Sequence, residues 1–341
     1  MKSNIKKMIR NGIFFVIIFV LTYIVIFSKI DVNGLIEALK NSKIQYVLIS
    51  LLLATNNITF EAINLKRNFK LLGDKVKLLS CLKYSSTGFF FSSITPAATG
   101  GQPMQIYSMN KDGIKFSHAA SALFVSYISY MIITVLLAII GFIINYNYIN
   151  EIKFFKYLIY IGLMANTLII TVVMIAMFAR RLSHKGLHFI IFIIEKISPS
   201  KAKDLNKKMK HHLDEYHQSA DFIISHRLAT AKTILISFFQ VISIHSITYF
   251  IFLSLGFDNC SYFQLLMLQS VVYISVSAIP LPGTIGVSET GFAIMYKHLF
   301  PLSIVETGMI LTRGISFYIL VIITGLALLI LKLTKKNKQR R

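Results

Sequence analysis

An all-α, polytopic membrane bundle is the fold class this sequence predicts, and three observations predict it. Hydrophobic residues make up 55% of the 341-residue chain and charged residues only 15%, against about 25% charged in an ordinary soluble domain. The mean hydropathy is +0.65. Long apolar runs recur between short basic ones, which is the pattern of spans and loops. Together these exclude a soluble cytosolic enzyme, a disordered chain and a disulfide scaffold. The formal net charge of +22 would suggest nucleic acid in a soluble protein. Here it belongs to the cytoplasmic face of a membrane protein, so nucleic acid is not an expected partner.

A spanning helix needs about 20 apolar residues. Six segments meet or approach this, at 12–28, 44–63, 118–144, 154–178, 233–256 and 308–331. The first follows Lys2, Lys6, Lys7 and Arg10, is longer than a signal-peptide core and has no A-x-A-like site after it, so it reads as a retained span. Two more apolar stretches, 78–108 and 262–298, are broken by Pro and Gly. An automatic count by hydropathy therefore gives six to eight spans. Five clusters, at 1–11, 64–83, 110–116, 180–232 and 332–341, hold 29 of the 36 Lys and Arg residues. If all five are cytoplasmic, the six spans alternate and both termini lie inside. The stretch 78–108 must then begin and end inside, and 262–298 must begin and end outside. Each is expected to be a re-entrant element, and their opposite entry predicts an inverted repeat with a polar site near the midplane. Two unrelated kinked hairpins are the alternative. The whole chain, 1–341, reads as one transmembrane domain.

The basic segment 180–232 carries an apolar stripe at Leu205, Met209, Leu213, Tyr216, Ala220 and Ile223, opposite Lys203, Lys207, Lys208 and Lys210. It suits a helix on an anionic membrane surface or a linker helix packed on the bundle. Cys81 and Cys260 match no ligand spacing and read as buried thiols. The histidines of this segment lack the H-E-x-x-H pattern, and no nucleotide or nucleophile fingerprint is present. No metal, cofactor or catalytic residue is expected.

The chemistry concentrates at the two breaks. The first reads Ser92-Ser93-Ile94-Thr95-Pro96-Ala97-Ala98-Thr99-Gly100-Gly101-Gln102-Pro103 and the second Ile279-Pro280-Leu281-Pro282-Gly283-Thr284-Ile285-Gly286-Val287-Ser288-Glu289. Proline and paired glycine stop a helix, and irregular backbone at membrane depth survives only inside protein or along a wet cavity. Freed amides at a half-helix start favour an anion such as a lipid phosphate. Gly100 and Gly101 are expected to line that cavity. Ionisable groups within spans are functional candidates, with Glu289 and Arg313 first. Glu289 falls in the first turn of a returning half-helix, and Arg313 enters the last span from the same side, so the two are expected to meet. Glu61, Glu306 and His245 are weaker candidates, each with an interfacial or packing role as the alternative.

At these motifs the chain resembles the lysylphosphatidylglycerol synthase transmembrane region, the flippase-like membrane half of the bacterial multiple peptide resistance factor, over about residues 10–332. The family's first motif, P-G-x-x-G-G-[D/E]-x-x-R, stands here as Pro96, Gly100 and Gly101, with Gln102 at the acidic and Gln105 at the basic position. Its internal charge pairing is therefore missing. The second, P-x-P-G-x-x-G-x-x-E, is complete in Pro280, Pro282, Gly283, Gly286 and Glu289, and Arg313 matches an Arg of the last span. The resemblance implies a cell-membrane protein that flips an anionic or aminoacylated phospholipid such as lysyl-phosphatidylglycerol, linked to resistance to cationic peptides. A polyprenyl-phosphate lipid is a further substrate class. It implies these residues as the substrate site. The family's soluble lysyltransferase domain is expected to be absent, so any such activity would need a separate cytosolic synthase. A lysyl-tRNA-dependent phosphatidylglycerol lysyltransferase, or a small-solute or ion-coupled transporter, are the competing functions.

Overall fold

The computed structural model describes residues 32–197, 213–277, 279 and 281–338. The expected first span at 12–28, Pro280 and residues Lys203 to Lys210 lie outside these. The chain is all-α, and among the described residues there is no strand. Helix α1 is Val32–Lys40 and α2 is Ile44–Leu71. Helices α3, Leu78–Ile94, and α4, Gly101–Lys111, flank a short 3₁₀ turn at Pro96–Ala98. Then come α5, Phe116–Ile144, α6, Tyr146–Glu151, α7, Lys153–Phe178, and α8, Arg180–Ile197. Helix α9 is 213–225 and α10 is Arg227–Ser254. Helices α11, Tyr262–Ser277, and α12, Val287–Tyr296, flank a second 3₁₀ turn at Pro282–Thr284. The last long rod joins α13, Leu302–Arg313, to α14, Leu320–Lys338, through a π-helical turn at Gly314–Ile319.

Five of these, at 44–71, 116–144, 155–178, 227–254 and 302–331, are long and apolar enough to cross a membrane. The protein is a multi-pass membrane bundle. Polar residues sit at helix–helix contacts, while α7 turns Tyr157, Ile161, Met164, Leu168 and Val172 outward, as a lipid-facing helix does.

The broken elements differ from the spans in length. Helices α3 and α4 rise about 26 and 16 Å and α11 and α12 about 24 and 15 Å, each short of the roughly 30 Å hydrocarbon core. Each pair folds back on itself. Tyr84, near the start of α3, donates a 2.9 Å bond to Asp112 just after α4, and Lys83 pairs with the same carboxylate. Tyr296 of α12 donates to Gln269 of α11 at 3.1 Å.

The order long helix, half-helix, turn, half-helix, long helix occurs twice, in α2 to α5 and in α10 to α14. Helices α2 and α10 run antiparallel, from a Lys43 N–H to Ser254 C=O bond of 2.8 Å at one end to Thr233 on Asn68 at the other. Helix α3 packs on α2 and on α14, and α11 packs on α10 and on α5, so each hairpin leans on the last helix of the opposite half.

The apolar stripe of α9 packs on the bundle. Tyr216, Ala220 and Ile223 are buried against Val125 and Ile128 of α5 and Met177 of α7. Arg180 and His184 of α8 reach Asp221 and Asp214 of α9 at 2.6 and 3.0 Å. The described part of the stripe is thus packed on the bundle, while Leu205, Met209 and the basic face at Lys203 to Lys210 lie outside the described residues.

Candidate functional site

The two turns are built alike. The residue before each proline is extended, Thr95 at φ −112°, ψ 144° and Leu281 at φ −100°, ψ 144°, because proline disfavours helix in its predecessor. Two left-handed residues follow the proline in each case, Ala97 and Ala98 at φ 52° and 55°, and Gly283 and Thr284 at φ 57° and 52°. Among the described residues Ala97, Ala98 and Thr284 are the non-glycine residues with positive φ. A left-handed non-glycine residue costs roughly 1–2 kcal/mol, and strain of this kind gathers at functional positions. The turns pack on one another. Pro96, Ala97, Ala98 and Thr99 are exposed, so the first turn borders open space.

At the second turn Gly286, φ 87°, caps α12, and its N–H donates to Glu289 Oε2 at 2.6 Å. Arg313 Nε donates to Glu289 Oε1 at 3.0 Å, and Arg313 Nη2 donates to the Gly283 carbonyl at 2.8 Å. Tyr318 OH donates to Glu289 Oε1 at 3.3 Å. The Arg313 and Glu289 side chains are 15% and 20% exposed, so the pair is held in protein but reached from outside it. The π-helical turn matters here. Widening one turn by a residue brings both the fourth and the fifth residue after Arg313 back to its side. The Arg313 guanidinium lies 4.5 Å from the Phe317 ring centre and 5.9 Å from that of Tyr318. Phe317 fills the space over Gly283, where a Cβ would come within 2.2 Å of its ring.

The first turn has no such charge. Thr95 Oγ1 accepts the Gly100 N–H at 2.9 Å. Gly101 is buried where α3 and α4 cross, and a Cβ there would lie 1.9 Å from Ser92 Oγ and 2.9 Å from the Gly88 carbonyl. It sets the closeness of the two limbs, and Gly100 faces the Thr95 side chain. Gln102 is half-buried. Gln105 is buried and points the other way, donating to Glu61 Oε1 of α2 at 2.6 Å.

The structure thus joins Glu289, Arg313, Gly283 and Gly286 at one point, with Pro282 opening the turn. Pro96, Gly100 and Gly101 shape the opposing hairpin, while Gln105 belongs to a separate contact. Sequence reading missed Phe317, Tyr318 and the Glu61–Gln105 bond. An aromatic pair four and five residues past a buried arginine was the available signal for the first two. Glu306 is exposed, and His245 is buried with Nδ1 2.8 Å from Ser270 Oγ. Cys81 and Cys260 are free thiols, the first buried.

Residues 11–324 match the family described as the lysylphosphatidylglycerol synthase TM region. A UPF0104 membrane protein of Pyrococcus horikoshii is 25% identical over 308 residues, covering 86% of this chain and 89% of its own. A UPF0104 membrane protein of Archaeoglobus fulgidus is 20% identical over 299 residues, covering 83% and 85%.

Proposed function

The chain belongs to the family of the lysylphosphatidylglycerol synthase TM region, and from that premise we propose that it moves a phosphate-bearing lipid between the leaflets of the cell membrane. The observation that carries this reading is Arg313. It is a half-buried cation whose partners, Glu289 and the Gly283 carbonyl, are an anion and a carbonyl oxygen that a lipid phosphate replaces in kind. In the empty protein Glu289 holds the guanidinium, because an unpaired arginine at membrane depth costs at least about 2.5 kcal/mol. When lipid enters, the phosphate takes Arg313 and Glu289 keeps its bonds to Gly286 N–H and Tyr318. The exposed first turn borders the wet path that irregular backbone in a membrane requires.

The substrate in this reading is anionic or aminoacylated phosphatidylglycerol, lysyl-phosphatidylglycerol among them, or a polyprenyl-phosphate lipid. Moving an aminoacylated lipid outward lowers negative surface charge and so resists cationic peptides. A separate cytosolic synthase would supply that lipid. Leaflet-resolved lipid labelling of a deletion strain tests the reading, with one lipid class expected to accumulate in one leaflet. Unchanged leaflet composition, or lysine transfer from lysyl-tRNA by the purified protein, contradicts it.

The re-entrant hairpins and the cytoplasmic termini are part of the same proposal. A cysteine at Lys111, the exposed last residue of α4, is expected to react with membrane-impermeant reagent only from the cytoplasm, and one at Asn150, exposed in α6, only from outside. External labelling at Lys111 would refute both the re-entrant assignment and the opposed halves.

A further inference from the structure

A second carboxylate lies in a span without a cation. Glu61 of α2 accepts the 2.6 Å bond from Gln105 Nε2 through Oε1, and among the described residues no Lys, Arg or His pairs with it. The contact is built, not incidental. Gln105 reaches Glu61 across α3 at Gly88, where a Cβ would lie 2.3 Å from Gln105 Cδ, so only glycine leaves the passage open.

The bonded partner of Glu61 among the described residues is a neutral amide. Helix α4 presents the Gln105 amide and α3 presents Gly88. Helix α5 presents Tyr130, the titratable group within electrostatic reach of Glu61. At the same level of α10 stand Ser237 and Gln240, bonded to Asn64 and Asn57 at 3.1 Å each. Asn57, Glu61, Asn64 and Asn68 follow at steps of four, three and four, one stripe of α2. Asn68 continues it, donating to Ser126 Oγ at 3.1 Å and accepting from Thr233 at 3.3 Å. The stripe leads from Glu61 to the end of α2 that carries Lys66, Arg67 and Lys70. Asn64 Oδ1 on this stripe is buried without a partner.

Glu61 is half-buried, and a carboxylate packed in a span with no countercharge is costlier to hold ionised than neutral. The Gln105 N–H occupies Oε1 and leaves Oε2 to carry a proton. An N–H donor at the carboxylate also disfavours a metal cation, which needs several oxygens there. We propose that Glu61 is a proton-binding site that couples transport to a proton gradient. A proton from water converts the carboxylate to the acid when the α3–α4 hairpin carries Gln105 away, and it leaves when the Gln105 N–H returns to Oε1 and favours the charged form again. The coupling rests on the transport reading above, while the site itself does not.

The test separates the two. In purified protein in lipid nanodiscs, a pH titration followed by infrared difference spectroscopy is expected to show the carbonyl band of a protonated carboxylic acid. Glu61→Gln should remove it and Glu289→Gln should leave it. Gln105→Leu, which takes away the bond favouring the charged form, should raise proton affinity by about tenfold. No such band in the wild type, or a band that survives Glu61→Gln, overturns the site. In proteoliposomes holding fluorescent phosphatidylglycerol, a pH gradient should accelerate wild-type translocation, and Glu61→Gln should lose only that acceleration. Translocation indifferent to the gradient, or driven by sodium instead, overturns the coupling while the lipid reading stands. If no lipid moves at all, the coupling and the lipid reading fail together, and the band alone reports the site.

Discussion

Arg313→Ala is expected to reduce lipid translocation in proteoliposomes by about ten- to a hundredfold, the range set by one lost charge-assisted bond to phosphate. The same variant should lose retention on vesicles of anionic lipid. Removing this side chain leaves Glu289 with only Gly286 N–H and Tyr318 and takes away the cation above Phe317. Breaking a pair this far out of water typically lowers stability by about 3 kcal/mol, so thermal unfolding must be read alongside transport. Glu289→Gln keeps the shape and a carbonyl acceptor for Arg313. Its expression should stay near normal while translocation falls, because the amide no longer returns the guanidinium to its empty-state position. A purely structural ion pair behaves otherwise. There each single change destabilises, and a matched apolar double replacement, Glu289→Leu with Arg313→Met, restores stability and transport together.

Gly101→Leu is expected to have the next largest effect. The side chain has nowhere to go, since its first carbon overlaps Ser92 Oγ at 1.9 Å and sits 2.9 Å from the Gly88 carbonyl, which is backbone and cannot rotate away. Limbs α3 and α4 must part. Overpacking of this kind costs typically about 1–3 kcal/mol, and parting the limbs also shifts the Pro96–Ala98 turn off its counterpart. Transport should be lost and the melting temperature lowered. Gly100→Leu meets a side chain, Thr95 Cγ2 at 2.7 Å, with backbone no nearer than the Phe91 carbonyl at 3.3 Å, so its loss should be smaller. Wild-type melting and transport in Gly101→Leu would show that the close crossing is dispensable.

Five of the six expected spans, those among the described residues, and the two breaks were legible in the sequence because each rests on one-dimensional signals: apolar run length, Lys and Arg clusters, and proline before glycine. The meeting of Glu289 with Arg313 was legible too, since both depths could be counted from helix ends. The Gln105 contact was not. A motif read along the chain compares Gln102 with Gln105, whereas the partner of Gln105 is Glu61, 44 residues away on α2. The asparagine stripe was readable at its 3.6-residue period, but its meaning depends on α10 lying antiparallel beside it. Gly101 was expected in sequence to line a cavity, and its packing role appears only once Ser92 and Gly88 are placed against it.

One measurement tests the central claim most directly: the rate at which fluorescent phosphatidylglycerol crosses between leaflets in proteoliposomes, compared for wild type, Arg313→Ala and the Glu289→Leu, Arg313→Met pair. If Arg313 carries the phosphate, wild type moves lipid and both variants fail, with the pair failing although its melting temperature recovers. Recovery of translocation in the pair would contradict the account, because a site without its cation would then move the lipid as well as one that has it.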